Sequence, residues 1–96
     1  MDEAVVRERA QAHGEAVKAG DLRRAAVDLS DEAKADAPAV MDTLPRPVDA
    51  VEIVGVEDAN DECVVRIRYS GRHVVVVESR WAERDGRPMI VALRAP

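Results

Sequence analysis

The sequence contains no phenylalanine, and its 96 residues include only one tryptophan and one tyrosine. Hydrophobic residues make up 47% of the chain, and most of them are alanine and valine. Ligand pockets are usually lined by aromatic and other large apolar side chains. The composition therefore argues against a roomy small-molecule site, although it provides enough apolar surface for one hydrophobic core.

Cys63 is the only cysteine, and the two histidines, His13 and His73, are far apart in the sequence. A single cysteine excludes an internal disulfide bond and a metal site built on cysteines. Two separate histidines are a poor basis for a zinc site, and no glycine-rich nucleotide motif is present. We therefore expect no metal and no cofactor, and we interpret Cys63 as a small buried hydrophobic residue.

Long apolar segments are also missing, since no run approaches the roughly 18 residues of a membrane span. The beginning of the sequence, MDEAVVRERAQ, is charged and does not resemble a signal peptide. We therefore expect a cytoplasmic protein with no membrane partner. Arginine far outnumbers lysine and alanine is abundant, which is typical of bacteria with GC-rich genomes.

Charge is unevenly distributed along the chain, whose formal net charge is -5. Residues 1–61 hold 7 basic and 15 acidic side chains, whereas residues 62–96 hold 7 arginines and 4 acidic side chains. Nucleic-acid-binding proteins usually show a dense basic stripe with stacking aromatic residues. Because acidic residues dilute the arginines and aromatic residues are scarce, we expect no nucleic-acid partner.

Helical patterns fill the first half of the chain. Apolar residues at helical spacing predict a helix over 2–19, with His13 on its apolar stripe and Gly20 at its C-terminal end. Shorter helices are predicted over 22–29, after Ser30, and over 39–44.

Strand patterns fill the second half. They predict strands over 48–57, 63–69, 72–82 and 87–94, with the last three forming an antiparallel meander. Gly71 and Gly86 are interpreted as the positive-φ residues of two-residue hairpin loops. Helices followed by strands predict an α+β fold. We therefore expect a single domain over 1–96, with helices within 2–44 packed on one face of an antiparallel sheet of about four strands within 48–94.

The expected loops also fix which side chains share a face of the sheet. Two-residue loops would pair Tyr69 with Arg72 and Arg84 with Arg87, and the register follows by counting back from each loop. The face that we expect the helices to cover then holds Cys63, Val65, Ile67, Tyr69, Val74, Val76, Glu78, Arg80, Ala82, Met89, Val91 and Leu93. The opposite face holds Val64, Arg66, Arg68, His73, Val75, Val77, Ser79, Trp81, Ile90, Ala92 and Arg94.

The opposite face is the expected interaction surface. Its apolar strip consists of Val75, Val77, Trp81 and Ile90. The polar rim around this strip consists of Arg66, Arg68, His73 and Arg94. An exposed apolar strip with a polar border usually marks an interaction site. We therefore predict a homodimer through this face, with a different protein chain as the alternative partner.

Four side chains are candidates for chemistry or ligand binding. Glu78 and Arg80 occupy alternate strand positions, so they could form a polar patch at a pocket mouth, with Glu78 as a base and Arg80 as a ligand contact. The alternative is that the two are solvated or pair with each other at the end of the sheet. His13 is either a pocket acid or base or a core histidine held by one hydrogen bond, and Tyr69 either binds a ligand or packs across strands.

Several segments share a pattern with known proteins. They are AGDL before the second helix, the late Pro-x-Pro break, EIVGVE, VVRIRYSG, and the ending SRWAERDGRPMIVALR. With these segments the chain resembles a shortened member of the nuclear transport factor 2-like superfamily, which includes SnoaL-like polyketide cyclases and ketosteroid isomerases. The resemblance implies a cystatin-like cone, in which a curved sheet wraps around helices, commonly dimeric and sometimes with an internal pocket. The superfamily's catalytic sets cannot be placed on this sequence.

Two functions follow as expectations. The first is a small non-catalytic dimeric domain that binds a small apolar ligand or a protein partner. The second, implied by the resemblance, is an isomerase-like or cyclase-like enzyme that acts on a small hydrophobic substrate through Glu78, His13 and Tyr69. An open cavity lined by two of these three side chains would favour the enzyme. A core filled by Ala, Val and Leu side chains would contradict it.

Overall fold

Four helices precede four strands along the chain, and the computed structural model describes all 96 residues. The helices are α1 (Glu3–Lys18), α2 (Leu22–Ala26), α3 (Asp31–Lys34) and α4 (Ala37–Thr43). The strands are β1 (Ala50–Ala59), β2 (Glu62–Ser70), β3 (Val74–Arg84) and β4 (Arg87–Arg94). The helices pack against one four-stranded antiparallel curved sheet, which confirms the predicted α+β class.

Helix α1 begins and ends as its sequence predicts. The side chain of Asp2 accepts a hydrogen bond from the amide of Ala4 at 2.9 Å, which satisfies one of the free amides of the first turn. At the other end Gly20 has a φ of 75°, a left-handed conformation that glycine adopts without steric cost. The predicted stripe is confirmed, because Val6, Ala10, His13 and Val17 are all buried.

The strands lie in the order β1-β2-β3-β4, so each strand pairs with its neighbour in the sequence. The register of β1 shifts between Ile53 and Gly55, which confirms the predicted irregularity at Gly55 and leaves Val54 exposed. Between β3 and β4, Asp85 and Gly86 both have positive φ, as a two-residue type I′ loop requires.

The loop between β2 and β3 differs from the prediction. Ser70 pairs with Val74 and Tyr69 pairs with Val75, so the loop has three residues where two were predicted. Tyr69 was predicted to pair with Arg72, so its observed partner, Val75, lies an odd number of positions further along β3. Because successive side chains of a strand point to opposite faces, every side chain of β3 lies on the face opposite to the predicted one. The assignment of β3 to the two faces is therefore wrong.

The face under the helices is called the core face here. By register it holds Val51, Ile53, Val56, Cys63, Val65, Ile67, Tyr69, Val75, Val77, Ser79, Trp81, Ile90 and Leu93. Most of these side chains belong to one hydrophobic cluster with Val6, Ala10 and Val17 of α1. A further irregularity in β4, where Trp81 pairs with Ile90 but Arg80 pairs with Ala92, places both Ile90 and Leu93 on this face.

The opposite side, the outer face, carries cross-strand ion pairs. Arg66 lies within 3.5 Å of Glu57 and 3.3 Å of Glu78, and Arg68 bonds Glu52. Such exposed pairs each contribute little to stability, but they leave the charges of this face mutually compensated. No helix of the protein is both long enough and apolar enough to cross a membrane.

Candidate ligand-binding cavity

A cavity of about 160 Å³ lies between the helices and the core face. Its lining is apolar apart from three side chains and consists of His13, Val17, Leu22, Ala25, Ala26, Leu29, Ala37, Val40, Met41, Leu44, Ile67, Tyr69, Val77, Ser79 and Leu93. Three alanines contribute to the wall, and their small side chains leave space that larger residues would fill. The cavity is modest in size, which agrees with the scarcity of large apolar residues.

His13 enters the wall of the cavity from α1. Its side chain is buried, and its Nδ1 lies 3.1 Å from Oδ2 of Asp28. An ionised carboxylate can only accept hydrogen bonds, so Nδ1 carries the proton and donates it. The imidazole ring also meets the Trp81 ring edge to face, with centroids 6.4 Å apart. These two contacts fix both the tautomer and the orientation of the ring.

Asp28 has Arg24 as a second partner. Its Oδ2 also accepts from Nη1 of Arg24 at 3.1 Å, across one turn of chain. Asp28 is only 3% exposed, and a buried carboxylate is costly unless it is paired. Backbone bonds anchor the same segment to β4, because the amide of Ile90 donates to the Asp28 carbonyl at 2.7 Å.

Tyr69 reaches the cavity from β2. Burial raises the pKa of its phenol well above the usual range, so the hydroxyl is neutral and can donate a hydrogen bond near neutral pH. The hydroxyl has no hydrogen-bond partner in the protein, but protein atoms do not fully enclose its oxygen. A water-sized molecule can therefore touch it.

Ser79 is the third polar side chain in the wall, and its hydroxyl is already used. It donates to the Val65 carbonyl at 3.1 Å and accepts from Nε1 of Trp81 at 3.0 Å. Nε2 of His13, by contrast, has no partner in the protein and, like the Tyr69 hydroxyl, remains accessible. Two residues of the cavity wall, His13 and Tyr69, therefore each have a polar atom with no partner in the protein, and as a neutral imidazole His13 would offer Nε2 as an acceptor while Tyr69 can donate.

Of the candidates taken from the sequence, the structure brings His13 and Tyr69 to one cavity. Glu78 and Arg80 were predicted on the helix-covered face, and this placement is wrong because β3 is turned over. Glu78 lies on the outer face between Arg66 and Arg94, at 3.3 and 3.5 Å. Arg80 binds Glu62 there at 2.9 Å, so neither side chain reaches the cavity.

The predicted interaction strip is also misplaced. Val77, Trp81 and Ile90 are at most 3% exposed within the protein's own core, and the half-buried Val75 packs against it. A dimer cannot form through side chains that the helices already cover. The rim residues Arg66 and Arg68 do lie on the outer face, whereas His73 lies in the β2–β3 loop and bonds the Thr43 carbonyl at 2.8 Å. Self-association itself stays a prediction.

Asp28 is the functional residue that sequence reasoning missed. A signal was present, because Asp28 follows Ala25 by three positions and so continues the apolar stripe of the predicted second helix. A charged residue on such a stripe needs a partner when the stripe is buried. Its partner, His13, lies on the stripe of the preceding helix.

Other chemistry has little support in the structure. No group of three or more His, Cys, Asp or Glu side chains is arranged to hold a metal ion. Cys63 is buried, and burial, together with the Asp58 carboxylate, raises the pKa of its thiol. A raised pKa lowers the population of the reactive thiolate.

Comparisons of the chain with models of protein families, with curated proteins and with solved structures found no match. The resemblance to the nuclear transport factor 2-like superfamily therefore stays a prediction, and the cavity has to be interpreted from its own chemistry.

Proposed function

We propose that the protein binds a small, largely apolar molecule that carries one hydrogen-bonding group. The observation that supports this function is the apolar cavity, in which Nε2 of His13 and the Tyr69 hydroxyl are accessible and have no partner in the protein. Ligand pockets typically combine an apolar wall with a few polar groups that fix the orientation of the ligand. A ligand that bonds these atoms and fills the remaining space with carbon matches both features of this cavity.

The size of the cavity limits the ligand to about one ring. An engineered apolar cavity of about 150 Å³ in another protein accommodates benzene, and the cavity here measures about 160 Å³. Monocyclic phenols and cyclic ketones combine such a ring with one polar atom. A phenol would donate to Nε2 of His13, whereas a ketone would accept from Tyr69.

Binding can be tested with phenol and toluene, which have similar shapes but differ in the polar atom. We expect phenol to shift amide NMR signals of residues around the cavity and to raise Tm, since a ligand that binds the native state stabilises it. Toluene should bind more weakly, by about tenfold for one lost hydrogen bond of about 1.5 kcal/mol. Equal binding of the two would contradict the role of the polar atoms.

A cavity-filling variant provides the matched control. Ala25 lines the cavity and is buried, whereas Ala12 is exposed on α1. Ala25→Leu should abolish phenol binding because the new side chain occupies the ligand's space. Ala12→Leu adds the same atoms outside the cavity and should leave binding unchanged. Retained binding in Ala25→Leu would place the ligand elsewhere.

A second function, catalysis of proton transfer, is favoured by the hydrogen bond between His13 and Asp28. A carboxylate that orients an imidazole leaves Nε2 free to act as a base. Nε2 would take a proton from the carbon beside a carbonyl, the C–H electron pair would form an enolate, and the Tyr69 hydroxyl would donate to its oxygen. In a β,γ-unsaturated ketone the same electron pair spreads over a dienolate, and return of the proton from His13 to its γ-carbon moves the double bond into conjugation and completes an isomerisation.

Hydrogen exchange separates this function from binding alone. If the protein is such an enzyme, cyclohexanone in D₂O should lose its α-hydrogens faster with wild type than with the His13→Gln variant, as followed by NMR. A protein that only binds would bind cyclohexanone without accelerating the exchange.

A further inference from the structure

We propose that the ligand of this cavity is an organic acid, whose ring occupies the cavity and whose carboxylate lies at an opening between α1 and the segment that follows α4. The inference rests on the proposed binding function and specifies its ligand class. Three features support this ligand class: a depression in the surface next to the cavity, the side chains that line this depression, and the C-terminal end of α1.

The depression adjoins the cavity directly. Both are lined by the same four apolar side chains, Val17, Leu22, Met41 and Leu44. Leu22 is 52% exposed, so this part of the common wall is in contact with solvent, whereas Val17 and Leu44 are buried. The depression is therefore the route along which a ligand in the cavity would extend to the surface.

The opening is positively charged within an acidic protein. Lys18 and Arg46 line it, and no Asp or Glu does. Lys18 makes no ion pair, and Arg46 lies 3.9 Å from Asp42, with both side chains at least 75% exposed. Lys18 is thus free to meet an anion here, and Arg46 can turn to one from its long, exposed contact with Asp42, although the formal net charge of the chain is -5.

The C-terminal end of α1, which lies at this opening, is capped. A helix C-terminus ordinarily repels anions because its last carbonyls are free. Here the amide of Asp21 donates to the Ala16 carbonyl at 2.9 Å, and the amide of Gly20 donates to the Val17 carbonyl at 3.0 Å. These are the two bonds of a Schellman motif, and they reduce the negative potential next to Lys18.

The cavity itself sets the orientation of the ligand. A carboxylate inside it would lose its hydration in an apolar wall that contains no free cation, which is unfavourable. Arg24 is engaged by Asp28. At the opening the carboxylate keeps its water and meets Lys18 and Arg46, while the ring and its polar atom reach His13 and Tyr69.

The test uses 4-hydroxyphenylalkanoic acids with two to five methylene groups, their primary amides, and phenol, with binding followed by NMR titration. Each amide has the shape of its acid but no charge. We expect the best acid to bind about three- to tenfold more tightly than its amide, as expected for one or two exposed ion pairs. The difference should shrink in high salt, because exposed charges are screened.

A charge-matched pair of variants locates the effect. Lys18→Ala with Arg46→Ala should remove the preference for acid over amide and leave phenol binding unchanged. Arg23→Ala with Lys34→Ala changes net charge equally at exposed side chains outside both the cavity and the depression, and should keep the preference. All four positions are exposed, so neither variant is expected to unfold.

The outcomes distinguish the two proposals. If phenol fails to bind, the proposed binding function is wrong. If phenol binds but no acid binds more tightly than its amide, the ligand class alone is wrong. An acid preference that survives in Lys18→Ala with Arg46→Ala would also overturn the inference, because another site would then hold the carboxylate.

Discussion

Asp28 and His13 are 15 positions apart in the chain, yet Oδ2 of one lies 3.1 Å from Nδ1 of the other, and both side chains are buried. The bond connects α1 to the segment after α2 and fixes the imidazole that lines the cavity. It therefore contributes to stability and to the chemistry of the site at the same time.

Asp28→Ala should lower the free energy of unfolding by about 2–4 kcal/mol, because it leaves the buried Nδ1 of His13 without an acceptor and removes the partner of Arg24. Urea unfolding followed by the fluorescence of Trp81, the only tryptophan, measures the change. Asp31→Ala is the matched control, since Asp31 is fully exposed in its pair with Lys34. Equal effects of the two substitutions would contradict a special role for Asp28.

Val77→Glu and Val76→Glu test which face of β3 the helices cover. Val77 is 3% exposed in the core, so a carboxylate there should cost more than about 3 kcal/mol of stability. Val76 pairs with Arg68 on the outer face, where a carboxylate gains an opposite charge and should change stability by less than about 1 kcal/mol. Urea midpoints provide the comparison. A larger loss of stability in Val76→Glu than in Val77→Glu would instead support the two-residue loop predicted from the sequence.

Gly14→Ala should destabilise the protein although alanine favours helix. A Cβ at this position would lie 2.6 Å from Cγ1 of Val51, and valine is too stiff at χ1 to move easily. We expect a net loss of about 1–2 kcal/mol after the helix propensity gain of about 1 kcal/mol. In a Val51→Ala background the same change should become neutral or favourable, and a double-mutant cycle measures that coupling. Additive effects would show that α1 and β1 are not in close contact at this point.

Alkaline pH should destabilise the protein through Tyr69, the only tyrosine. Its folded pKa is raised from an ordinary value of 10.0 by burial, so the stability that it contributes is complete below about pH 10. Above that pH the unfolded chain loses the proton first, and the free energy of unfolding falls by up to about 1.4 kcal/mol per pH unit. Urea midpoints from pH 8 to 11 measure this slope, and Tyr69→Phe should show a shallower one. Identical slopes would place the phenol in solvent.

The apolar stripe of α1 and the two-residue loop at Asp85 and Gly86 each depend on a short-range sequence pattern, and both were predicted correctly. The β2–β3 loop was not, because Gly71 resembles a turn glycine but has a different role. A Cβ there would lie 2.5 Å from the Pro47 carbonyl oxygen, so glycine is required by close packing against a distant segment. Local turn rules cannot detect such a contact, and the resulting register error also misplaced Glu78 and the strip around Trp81.

The cavity was only partly predictable for a similar reason. His13 and Tyr69 were identified as candidates from their residue types and positions. Their meeting depends on how α1 lies across β2, and the partnership with Asp28 depends on the turn between α1 and α2. Neither relationship has a fixed spacing in the sequence, so only the three-dimensional fold brings these side chains together.

The backbone bond between Asp28 and Ile90 also has a consequence during synthesis. The segment that orients His13 is attached to β4, the fourth of the four strands, and all four strands are translated after the helices that cover them. A nascent chain that lacks β4 therefore contains His13, Asp28 and Tyr69 but has no strand to anchor Asp28. The wall of the cavity is therefore complete only after β4 has been translated.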